Sequence, residues 1–111
     1  MNSATLSQTG DLASELFALL RETDPARFTD TVSHRAVERW SRIRASVEEL
    51  STETAAPPPI SASVATLRAL MDEPVDSPRE SVGYWTTLRP HLMAEYERLA
   101  GELRRRSVRA P

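Results

Sequence analysis

The sequence predicts an all-α fold, a small up-down helical bundle of about four helices, on three observations. Apolar residues recur three and four apart in four separate segments, no segment alternates with period two, and the hairpin dipeptides Asn-Gly and Asp-Gly are absent. At 111 residues the chain is the length of one domain. It can bury a single core, but it is too short for a TIM barrel or a two-halved dinucleotide-binding sheet.

Residues 1–10 are rich in Ser, Thr, Asn and Gln and read as a flexible tail. Gly10-Asp11 offers an N-cap, and Leu12, Leu16, Leu19 and Leu20, with Phe17, mark the apolar face of a first, short helix ending near Thr23. Asp24-Pro25 is a second cap with proline at the first helical position. The next helix is long: Phe28, Val32, Ala36, Trp40, Ile43, Val47 and Leu50 stay within a stripe roughly 120° wide. Pro57-Pro58-Pro59 then predicts a stiff connector.

Ile60, Val64, Leu67 and Met71 predict a short third helix capped by Ser61 or Ser63. Ser77-Pro78-Arg79-Glu80 is a capping box. The long fourth helix carries Trp85, Leu88, Leu92, Tyr96, Leu99 and Leu103, with a kink or short break expected ahead of Pro90. The helical domain therefore spans residues 11–106, followed by a short tail at 107–111. With two long and two short helices, Val47, Leu50, Leu99 and Leu103 at the long ends are expected to lack partners within the chain. That mismatch is the ground for expecting either a homodimer or a docking partner.

Several kinds of chemistry find no residues here. There is no cysteine, hence no disulfide, thiolate metal site or thiol nucleophile. There is no Gly-x-Ser-x-Gly elbow and no glycine-rich phosphate loop. The pairs Asp30–His34 and His91–Glu95 are spaced to meet on helix faces. Neither has the Glu-x-x-His spacing of di-iron bundles. No metal, no cofactor and no enzymatic activity are expected. No apolar run approaches a membrane span and no signal peptide is recognisable, so a cytoplasmic chain is expected.

All 14 basic side chains are arginine, and lysine is absent. Every ion pair must then use the planar guanidinium fork, for which lysine is no substitute. Glu38–Arg42 and Glu102–Arg106 are spaced as helix-face pairs. The basic run Arg104-Arg105-Arg106 suits the negative end of a helix dipole.

The segment Val32-Ser33-His34-Arg35-Ala36-Val37-Glu38-Arg39-Trp40-Ser41-Arg42-Ile43 resembles the recognition helix of helix-turn-helix DNA-binding proteins. The resemblance implies that Ser33 caps, that Ala36, Val37 and Trp40 pack inward, and that His34, Arg35 and Arg39 face the groove. The sequence departs from that pattern at Thr31, where a glycine is usual, and at Arg27 or Phe28, where a small residue is wanted.

The reading that best accommodates these features is a non-catalytic protein–protein interaction module, an accessory subunit, adaptor or inhibitor that binds another protein or itself. The expected partner-binding residues are Phe28, Arg35, Arg39, Trp40, Arg42, Trp85 and Tyr96, because arginine and large aromatics dominate interface energies; the aromatics among them, Trp40 and Trp85 above all, are equally the best core candidates. The alternative is a transcription regulator that uses residues 33–43 to bind nucleic acid.

Overall fold

The 3.6-residue period brings side chains three and four apart onto one face, and in four segments that face turns inward. The computed structural model describes residues 3–24, 26, 34–53, 56–73 and 82–108. They form α1 (Ser3–Glu22), α2 (His34–Ser51), α3 (Pro58–Asp72) and α4 (Val82–Val108). Each helix packs on its two neighbours in a closed ring, α1 on α2 and α4, and α3 on α2 and α4. Neighbours run antiparallel. Gly10 of α1 lies beside Leu103 of α4, and Phe17, further along α1, meets Tyr96, further back along α4.

α1 begins at Ser3, well before the expected start at Asp11. Thr5 and Thr9 sit one and two turns ahead of Leu12 on the same face, and both are buried. The Thr9 hydroxyl donates to the Thr5 carbonyl at 2.8 Å, and Thr23 does the same to Leu19 at 2.8 Å. Bonding back to the preceding turn disposes of the polar group and leaves the methyl to pack. The stretch read as a tail is thus helix, and Asp11 is an exposed interior position rather than a cap. After α1, the Ala26 amide donates to the Asp24 carboxylate at 3.0 Å, as a capping or turn-forming Asp should.

In α2 the expected stripe is buried at Ala36, Trp40, Ile43, Val47 and Leu50. Phe28 and Val32 lie outside the described residues, as do Thr31, Ser33 and the capping box at 77–80. The Ser51 and Thr52 hydroxyls each donate at 2.8 Å to the end carbonyls of Glu48 and Glu49.

α3 begins inside the proline triplet, which shortens the expected connector. Pro57 is the extended N-cap residue, and its carbonyl accepts from the amides of Ile60 and Ser61, both at 3.0 Å. Pro58 and Pro59 occupy the first turn, where a missing N–H costs nothing. Neither Ser61 nor Ser63 caps: Ser61 is exposed within the helix, and Ser63 faces the core with no partner for its hydroxyl.

α4 runs 27 residues through Pro90 without a break. The proline ring is on the solvent side, while Leu88 and Leu92 anchor the helix to the core on either side of it. Arg89 adds a cross-tie, donating to the Leu20 carbonyl and, at 2.9 Å, to the Thr23 hydroxyl.

Among the described residues α1, α2, α3 and α4 run 20, 18, 15 and 27 residues. Val47, Leu50 and Leu99 are buried within the chain, and Leu103 packs against the core. The length-mismatch ground for a homodimer therefore falls.

Candidate functional site

The two tryptophans expected at an interface are core residues. Trp40 and Trp85 are fully buried and meet edge to face, ring centroids 5.8 Å apart, with Tyr84 against Trp85 at 5.0 Å. Such pairs suit the aromatic quadrupole. The Trp40 indole N–H has no partner among the described residues.

The three-arginine stripe divides. Arg35 and Arg42 are exposed, but Arg39 turns toward α1. It bonds Glu15 at 2.8 Å and also Glu22, spanning two acids on one flank of that helix. Burial works against the Arg39 charge, yet the hydrogen bonds and fields of Glu22 and Glu15 outweigh it and raise the pKa above the ordinary arginine value. The sequence held a signal for this clamp: two acids two turns apart on one helix, opposite an arginine on the next. From the segment resembling a recognition helix, His34, Arg35 and Arg42 remain on the surface.

Other pairings differ in detail from expectation. Glu38 pairs with His34 at 3.2 Å rather than with Arg42. Arg44 ties α2 to Asp72 of α3 at 2.6 Å. Glu95 is buried and takes Arg98 on both oxygens at 3.1 Å, leaving His91 exposed. Glu102 pairs with Arg106 at 3.3 Å as expected, and with Arg105 besides. The hydrogen bond from Arg105 outweighs the opposing effect of burial, and the charges of both arginines add to it, so the Glu102 carboxyl titrates below the usual range.

The other flank of α1 carries the feature that was not anticipated. Leu6, Phe17 and Met93 are 39%, 48% and 44% exposed, and Phe17 lines the seam between α1 and α4. On α1, Leu6, Gly10, Ala13 and Phe17 share one narrow stripe, and Met93, Tyr96, Ala100 and Leu103 share the facing side of α4. The seam opens into a groove of about 390 Å³, floored by Ala13, Tyr96 and Leu103 with Gly10 and Ala100 at its lips. Phe17 leans on Tyr96 at 5.6 Å, closing one end. A Cβ on Gly10 would meet nothing within 4 Å, so the groove is open there. Of the expected site residues that are described, only Tyr96 lines it. Phe17 was counted with the core leucines, but it follows Leu16 and so stands about 100° around the helix.

Fold and groove together define a small all-α bundle with an open apolar seam on its surface. The chain matches no family model, no curated protein and no solved structure. Among the described residues no three of His, Asp or Glu converge on a point, and no helix is long and apolar enough to cross a membrane.

Proposed function

We propose that the chain is a non-catalytic protein-interaction module that docks its partner in the α1/α4 groove, as an accessory subunit, adaptor or inhibitor would. One observation carries the reading: Phe17, half exposed, lines an open groove between α1 and α4, and the other exposed large hydrophobics, Leu6 and Met93, fall by helical spacing on the faces of α1 and α4 that flank it. Scattered apolar residues need no explanation, whereas a gathered patch beside a cavity marks an interaction surface. Small residues at its lips leave room for an inserted side chain, the arrangement that makes an interface hot spot.

The test is site-specific photo-crosslinking in the source cell from position 17, from position 93, and from Arg42 on the exposed side of α2. Adducts are expected from 17 and 93 only, and excess unlabelled chain should compete them away where a Phe17→Ser chain does not. Equal adducts from position 42, or none from the groove, would overturn the reading.

A further inference from the structure

We infer that the groove's occupant is a second copy of this chain, packed α1 against α1 and α4 against α4 about a two-fold axis crossing α1 near Ser14. The inference rests on the interaction-module reading and names its partner.

The seam carries both halves of a self-complementary contact. Phe17 is the knob, half out of the surface. The hole is the open space over Gly10, two turns away along the same stripe, at about 10 Å. A two-fold axis midway between them sets each Phe17 over the other copy's Gly10. This is the condition an isologous interface imposes, that residue i meet j while j meets i. The same operation carries Met93 of one copy to the height of Leu6 of the other, on the adjacent helix, so both join the same apolar strip.

Close approach of the two α1 helices is sterically open. Between Leu6 and Phe17 the outward positions nearest the groove are Ser7, Gly10 and Ser14, all small, while the exposed carboxylate of Asp11 stands further round the helix, away from Gly10 and Phe17. The exposed face of α2, by contrast, presents Arg35, Glu38, Arg42 and Glu49.

The rim charges agree with the same axis. Arg104 lines the groove and is exposed, Glu97 stands exposed two turns before it on α4, and neither has an ion-pair partner among the described residues. They lie two turns apart on one helix, too far to satisfy each other. The axis that seats Phe17 brings Glu97 of each copy to within about a turn of Arg104 of the other, inside the reach of an arginine side chain. A surface made for an unrelated partner has no reason to place its opposite charges symmetrically about its own knob and hole.

Because the chain contains no cysteine, a single introduced thiol reports the register. Ser14→Cys should give an intermolecular disulfide on mild oxidation, since a bridge requires Cα atoms about 4.4–6.8 Å apart. Ser41→Cys on the exposed side of α2 should not. Sedimentation equilibrium of the cysteine-free chain should give twice the chain mass, and Phe17→Glu should return it to one. Glu97→Arg or Arg104→Glu alone should weaken association about tenfold, and the two together should restore it.

A single-chain mass up to about millimolar concentration, or equal bridging from positions 14 and 41, would overturn the inference. Circular dichroism of each variant separates lost association from lost folding. If the chain is monomeric but the photo-adducts from position 17 persist with a different protein, the two-fold falls while the interaction-module reading stands. If both fail, both fall.

Discussion

The two flanks of α1 are finished in opposite ways. Toward α2 the seam is closed by Arg39, which reaches Glu15 and Glu22 and is itself mostly covered. Toward α4 the seam is apolar, and Phe17 and Met93 stand half in water beside an open groove. An ion-paired seam is complete within the chain, since each charge has its counter-charge and the rim is wet. An apolar seam left open is not, because every Å² of it retains roughly 25 cal/mol of unrealised burial. The first flank holds the bundle together; the second is the surface on which the proposed docking rests.

That contrast supposes one core beneath both seams, and breaking the core should have the largest effect. Trp85→Ala should lower unfolding stability by about 3–5 kcal/mol, because the indole is fully buried and its removal leaves a cavity beside Trp40. Denaturant titration should show the loss, with the midpoint falling and the slope unchanged. A loss under about 1 kcal/mol would mean that Trp85 is not part of the core.

Next in size is the closed flank. Arg39→Ala should cost about 1–3 kcal/mol, as it leaves two half-buried carboxylates unpaired, one of them with an oxygen that already lacks a partner. Adding Glu15→Gln and Glu22→Gln should recover most of the loss, which the unfolding midpoint would register. If the triple variant is no better than Arg39→Ala, the arginine acts by packing alone and the clamp is not electrostatic.

How much of this was legible follows the same division. The core stripe of α2 and the leucines of α1 and α4 were readable, because burial of an apolar face imposes its period directly. The first turns of α1 were not. Thr5 and Thr9 look like surface residues until the Thr9 hydroxyl is turned back onto a carbonyl, and composition carries no trace of that bond. Tyr96 was readable as important, but Phe17 was absorbed into the core because helix faces blur at their edges. Whether an edge residue is covered depends on its neighbour's side chains. Here the facing side chains are Tyr96, which meets the ring, and Ala100, which shares the groove with it and is too small to fill it, and no spacing rule on α1 contains that fact.

The open flank should respond to substitution with little change in stability. Phe17→Ser should cost less than about 1 kcal/mol, since half the ring is already in water and its main contact is Tyr96. Paired measurements of unfolding and of association on one preparation would sharpen the contrast: Arg39→Ala should move the first, Phe17→Ser the second. A Phe17→Ser chain that loses several kcal/mol would mean that the seam is core after all.

The smallest effect lies at the far end of α4, where charge holds a buried position as Arg39 does on α1. The Glu102 carboxyl is held below its ordinary range, chiefly by the hydrogen bond from Arg105. A carboxyl whose folded pKa is depressed contributes stability above the unfolded value of about 4.3. That contribution disappears as pH falls through the lowered folded value. Glu102→Gln should therefore leave the chain slightly less stable near neutrality and flatten the stability curve below about pH 4.5, by no more than one proton's worth of slope. Thermal melts at pH 7 and at successive steps below pH 4.5 would measure both. Parallel curves for the two chains in the acid range would mean that Arg105 and Arg106 are screened by water, and that an ion pair half open to solvent does not anchor this helix end as the enclosed Arg39 clamp anchors α1.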